Sequence, residues 1–126
     1  MKLKIKSIHS AGDLSKERLV LEATEDLDVG SHVIFAARRG SAPHRTLQGG
    51  LVPFCYWLPD KKVAKGDLVV VYTKSGSTSS KQNESNTSYF FYWDLKAPVW
   101  VEDRYVVILE IGNWTGREFS EIEQAS

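Results

Sequence analysis

Lys65-Gly66-Asp67-Leu68-Val69-Val70-Val71-Tyr72-Thr73, then Tyr89-Phe90-Phe91-Tyr92-Trp93 after a serine- and asparagine-rich stretch, decides the fold class. β-Branched and aromatic side chains fit a pleated, half-buried surface, so both runs predict strands. Residues 74–88 between them contain no apolar side chain. The simplest reading is a hairpin at the centre of an all-β domain, with a mobile, protease-sensitive loop at its tip.

Further strands are predicted on either side. Lys2–Ile8 alternates, with Leu3 and Ile5 on one face and lysines on the other. Arg18–Ala23 places Leu19, Leu21 and Ala23 together, and His32–Ala37 reads as buried on both faces. Leu51–Leu58 is a fourth strand, with Pro53 confining its start to an edge or bulge. Val99–Val101 is a short strand, and Tyr105–Ile111, apolar throughout Val106–Leu109, is a central one. In the tail, Thr115-Gly116-Arg117-Glu118 has capping-box spacing, which allows a helical turn or two; a docked extended segment is the alternative. Seven or eight short strands separated by turns predict an antiparallel β-sandwich.

At 126 residues the chain is one domain with room for a single core. Lysine plus arginine equals aspartate plus glutamate, 16 each, which excludes a global field for nucleic acid or anionic membrane. The lone cysteine, Cys55, cannot staple the fold and reads as a small hydrophobe inside a strand. The N-terminus lacks the unbroken apolar run of a secretory signal. The longest uncharged run, Thr46–Pro59, is too short and broken to span a bilayer. Cytoplasmic residence, with no membrane association, is the expectation.

The order Glu17-Arg18-Leu19-Val20-Leu21-Glu22-Ala23-Thr24, then Asp26-Leu27-Asp28-Val29, an apolar strand, and Val63-Ala64-Lys65-Gly66-Asp67-Leu68-Val69-Val70-Val71-Tyr72 resembles the lamin tail domain family. The resemblance runs roughly from Glu17 to Ile111. It departs from the family in three places: the tryptophan usual after the polar turn is replaced near Val33–Phe35, the 74–88 loop is longer, and the aromatic run after it is denser. The resemblance implies an immunoglobulin-like sandwich serving as a non-catalytic protein-interaction or assembly module, with a protein partner or self-association.

Two groups of residues are candidate sites. Strand alternation puts Tyr89, Phe91 and Trp93 on one face and Phe90 and Tyr92 on the other, so one set lies outside the core. Tyr56, Trp57, Phe90, Tyr92, Trp93 and Trp100 are the partner-binding candidates, weighed against burial under strand ends, loops or the tail residues Trp114 and Phe119. Arg38, Arg39, His44 and Arg45, in the irregular stretch Arg38–Gly50, are anion-binding candidates. They support the alternative function, a small anionic-ligand or nucleic-acid-binding domain or enzyme accessory. A solvated loop is the plainer account, because phosphate recognition has a larger basic footprint.

Other chemistry finds little support. Asp26-x-Asp28-x-Gly30 lacks the later ligands of a calcium loop, and no histidine or cysteine spacing suggests zinc. There is no nucleophile elbow, phosphate loop or dinucleotide fingerprint, so neither enzyme activity nor a cofactor is expected. Asn83, Asn86 and Asn113 match the glycosylation acceptor pattern, two of them within a composition where chance matches are expected.

Overall fold

Strands supply nearly all the regular structure in the computed structural model, which describes residues 1–38 and 53–125. Ten form among them: β1 Leu3–His9, β2 Arg18–Ala23, β3 Leu27–Asp28, β4 His32–Arg38, β5 Phe54–Trp57, β6 Lys62–Val63, β7 Leu68–Tyr72, β8 Ser79–Gln82, β9 Thr87–Tyr92 and β10 Arg104–Glu110. They form a five-stranded sheet in the order β1-β2-β7-β9-β8, a three-stranded sheet β10-β4-β5 and a two-stranded sheet β3-β6. The helical content is two three-residue 3₁₀ turns, Val29–Ser31 and Phe119–Glu121, and no helix among the described residues is long and apolar enough to cross a membrane.

One hydrophobic core joins the sheets, an arrangement consistent with a β-sandwich. Leu19, Leu21, Val69, Val71 and Phe91 of the larger sheet pack with Ile34 and Ala36 of the smaller one, with Val63 of the two-stranded sheet, and with Leu58, Val99 and Trp100. Removing side chains of this size from water is the main favourable term in folding, about 1.5–3 kcal/mol each. A row of rings, Tyr56–Trp93 at 5.7 Å and Trp93–Trp100 at 6.0 Å between centroids, closes one end.

The turn that opens the organising stretch forms as its sequence suggests. Gly66 takes φ +91°, a conformation glycine adopts without steric penalty. The buried Asp67 carboxylate then accepts from Ala64 N at 2.8 Å and Thr87 N at 2.9 Å, tying the starts of β7 and β9 together.

The predicted hairpin between the valine-rich and aromatic runs does not form. β7 and β9 run parallel, from Leu68 opposite Ser88 to Tyr72 opposite Tyr92. The chain leaves β7, passes to the far side of β9 and lays down β8, whose antiparallel pairing with β9 makes the actual hairpin. Its turn is fixed by polar side chains. Asn83 Nδ2 donates to Asn86 Oδ1 at 2.9 Å and Ser88 Oγ at 2.8 Å, and Asn86 Nδ2 donates to Gly66 O at 2.9 Å. The segment expected to be a mobile loop is therefore an exposed edge strand and a hydrogen-bonded turn. The amide nitrogens of two glycosylation patterns are both committed there.

Other expectations also change. Val99 and Trp100 are buried without joining a sheet, because a side chain takes the place of a neighbouring strand. Fully buried Glu17 accepts from Val99 N at 2.9 Å, Trp100 N at 3.3 Å, Gly12 N at 2.8 Å and the Thr73 hydroxyl. The apolar strand over 104–110 is an edge strand, and β4 is the central one. Between Ile5 and Ser7 the β1 register slips by a residue, leaving Lys6 as a bulge. Ile5 faces inward opposite Leu21 but is 45% exposed, unlike Leu3. Cys55 is exposed rather than a core hydrophobe, since it lies on the outer side of the edge strand β5. The tail forms a single helical turn, of 3₁₀ type over Phe119–Glu121, and Glu118 precedes it without the side-chain cap that the capping-box spacing suggests.

Candidate functional site

The outer surface of the five-stranded sheet is set by strand register. Arg18, Tyr72 and Tyr92 form one row; Val20, Val70, Phe90 and Ser79 the next; Glu22, Leu68, Ser88 and Lys81 the third. β1 adds His9, Ser7 and Lys4 to these rows. Val20 and Val70 are nearly inaccessible although they point away from the core, because larger neighbours close over them.

Those neighbours are aromatic. Tyr72 stacks on Tyr92 with centroids 5.2 Å apart and planes at 11°, and lies 6.4 Å from Phe90. Cross-strand aromatic pairs stabilise a sheet and present a rigid surface with polar tips. Gly76, on the crossing to β8, rests against Tyr92: a β-carbon there would fall 2.4 Å from the ring.

Cations flank this cluster. The Arg18 guanidinium lies 5.8 Å and the Lys74 ammonium 5.2 Å from the centre of the Tyr72 ring. With Lys4 and Lys81 in the same face and Glu22 the one carboxylate among its row positions, this side of a neutral chain is locally positive. Chemically it offers flat aromatic area, hydroxyl groups and a cationic rim, but no nucleophile–base pair.

The six aromatic candidates part company. Phe90 and Tyr92 belong to the outer cluster. Trp93 and Trp100 are core residues and not surface groups, while Tyr56 is half-buried, packed against Trp93. Burial raises the Tyr56 phenol above its ordinary 10.0. Trp57 is 48% exposed on the smaller sheet; it donates to Gly30 O at 2.7 Å and meets Trp114 edge to face at 5.4 Å. Tyr72 was missed, although its position at the end of the valine run, level with the second aromatic run, is the signal that could have found it.

Of the anion-binding candidates, Arg38 is exposed at the end of β4, opposite Arg104 of β10. Arg39, His44 and Arg45 lie outside the described residues. The acidic stretch is a structural tie: Asp28 Oδ1 accepts from Gly30 N at 2.9 Å and Lys61 N at 3.0 Å, and Asp26 from Lys65 N at 2.9 Å. Among the described residues no group of three or more His, Cys, Asp or Glu side chains could hold a metal ion.

Comparison with known proteins finds no matching family, no matching curated protein and no matching solved structure.

Proposed function

We propose that this chain is a non-catalytic protein-interaction module, an immunoglobulin-like sandwich of the lamin tail type acting in the cytoplasm, that binds partners through the outer face of its five-stranded sheet. The observation that carries the reading is the Tyr72–Tyr92–Phe90 cluster, stacked on the side away from the core and flanked by Arg18 and Lys74. Tyrosine and arginine are the residues that most often dominate binding energy at protein interfaces. The positive rim favours a partner segment carrying carboxylates beside an apolar or aromatic anchor. The order of strands and polar turns from Glu17 to Ile111 supports the lamin-tail comparison, and the shared core of several sheets supports a layered β architecture.

Selection of peptides from a random displayed library tests it. Selected peptides are expected to be acidic with an aromatic or aliphatic anchor, and to bind Tyr72→Ala or Tyr92→Ala protein about tenfold or more weakly. Peptides that bind both variants as well as the parent protein would overturn the assignment of this face.

A further inference from the structure

The β10 edge of the smaller sheet is built differently from the edges of the larger one. β8 is wholly polar and β1 carries Lys4 and Lys6, both devices that discourage pairing with another chain. β10 reads Arg104-Tyr105-Val106-Val107-Ile108-Leu109-Glu110, apolar between its ends, with neither lysine, proline nor bulge.

Its backbone is also unpaired on the outside. β10 keeps unbroken register with β4, and Ile111 N donates to Ser31 O at 2.7 Å in continuation of it. Odd-numbered residues therefore bond to β4, while Val106, Ile108 and Glu110 turn N–H and C=O outward. Among the described residues nothing hydrogen-bonds to those groups.

The space beside that edge already has an apolar floor. Ile5 and Ile8 face inward from β1, opposite Leu21 and Leu19, yet are 45% and 38% exposed. Ile8 shares a cavity with Arg104 at the start of β10, so the β1 side of the larger sheet extends under a position where the smaller one has no described strand. At one end a cavity of about 450 Å³ opens among Ile8, Ala11, Trp100, Val101 and Arg104, and the Trp100 indole N–H is buried with no acceptor among the described residues.

We propose that this position takes a fourth strand: an extended segment of a partner protein, antiparallel to β10, with its inward side chains over Ile5 and Ile8. Charge selects the segment. Arg104 stands opposite Arg38, a like-charged pair that destabilises a ladder; its guanidinium donates to Val99 O at 3.3 Å and lies 5.2 Å from the Phe54 ring centre, but no described carboxylate pairs with it. An acidic residue opposite Arg104 offsets that repulsion, and a cation opposite Glu110, which lies 3.9 Å from the buried His32 ring with its side chain half exposed, completes the match. The recognised pattern is a cation, two inward apolar residues at the third and fifth positions, and a carboxylate at the seventh. A second whole copy paired through β10 would bring its own β1 towards the space beside Ile8, so the occupant is a single strand rather than a second domain. This surface is distinct from the aromatic face, so either can fail alone.

The strand's own sequence has the required pattern, so a labelled peptide of residues 104–110, followed by fluorescence anisotropy against the full chain, is the probe. Saturable binding is expected, with amide perturbations at Val106, Ile108 and Glu110. N-methylating the peptide's third residue, whose N–H faces β10, should weaken binding about tenfold or more; N-methylating the fourth should not. Glu110→Lys should weaken the parent peptide, and replacing the peptide's first residue with glutamate should restore it. Absence of saturable binding at millimolar peptide, equal effects of the two methylations, or perturbations confined to other strands would each overturn the proposal.

Discussion

Replacing Glu17 with alanine tests how this β domain holds together where no ladder exists. The carboxylate accepts four hydrogen bonds from three separate segments: the β1–β2 turn, the end of β7, and the Val99–Trp100 stretch. Glu17→Ala leaves the Val99 and Trp100 amides buried without acceptors, at about 1–3 kcal/mol each. The Trp100 bond is the longer at 3.3 Å and contributes towards the lower figure. The Gly12 amide is only part-buried, so water compensates there. The expected loss from the two amides is about 2–4 kcal/mol, a large share of the 5–15 kcal/mol typical of a domain. Glu17→Gln keeps one acceptor oxygen but turns an NH₂ towards the donors, for about half that loss. Urea unfolding monitored by tryptophan fluorescence reads both, with an unchanged denaturant slope showing that the compared states are the same. A loss below about 1 kcal/mol for Glu17→Ala would refute the idea that these bonds replace a strand pairing.

Gly76→Ala forces a β-carbon towards the Tyr92 ring, and should lower stability by about 1–3 kcal/mol while disturbing the Tyr72–Tyr92 stack, read by thermal melting and near-ultraviolet dichroism. Burial of Tyr56 makes its folded form harder to ionise than its unfolded form. The stability this contributes is intact below pH 10.0 and declines as pH rises through the folded-state value, and Tyr56→Phe should flatten that decline in unfolding curves taken at alkaline pH. Asp13 behaves oppositely: the Ser15 hydroxyl, the largest cause, holds its carboxyl below 3.8, so its contribution is present above that pH and disappears as pH falls through the folded value. Ser15→Ala should move the Asp13 titration back towards 3.8, measured by carboxyl-carbon NMR shifts.

Periodicity made much of the larger sheet legible. β2 and β7 declared themselves through Leu19, Leu21, Val69 and Val71, and the Gly66-Asp67 turn through its chemistry. The partition of Tyr89, Phe91 and Trp93 from Phe90 and Tyr92 followed from alternation alone. Connectivity was not legible in the same way. β8 contains only Ser79, Ser80, Lys81 and Gln82, so hydrophobicity carries no trace of it, and without it β7 and β9 read as a hairpin rather than a parallel pair. Trp93 and Trp100 lie in the core rather than on the surface; identity alone does not tell an aromatic on a core end from one on an outer face. Glu17 gave no signal: a carboxylate at a strand start is ordinary, and its role depends on residues more than fifty positions away.

The central claim is that binding occurs on the outer face of the five-stranded sheet. Two-dimensional NMR of labelled protein titrated with a library-selected acidic peptide tests it directly. Shift changes are expected at the backbone amides of Arg18, Tyr72, Lys74, Phe90 and Tyr92, with little change elsewhere. Changes centred on residues 38–50, with those five amides unmoved, would contradict it.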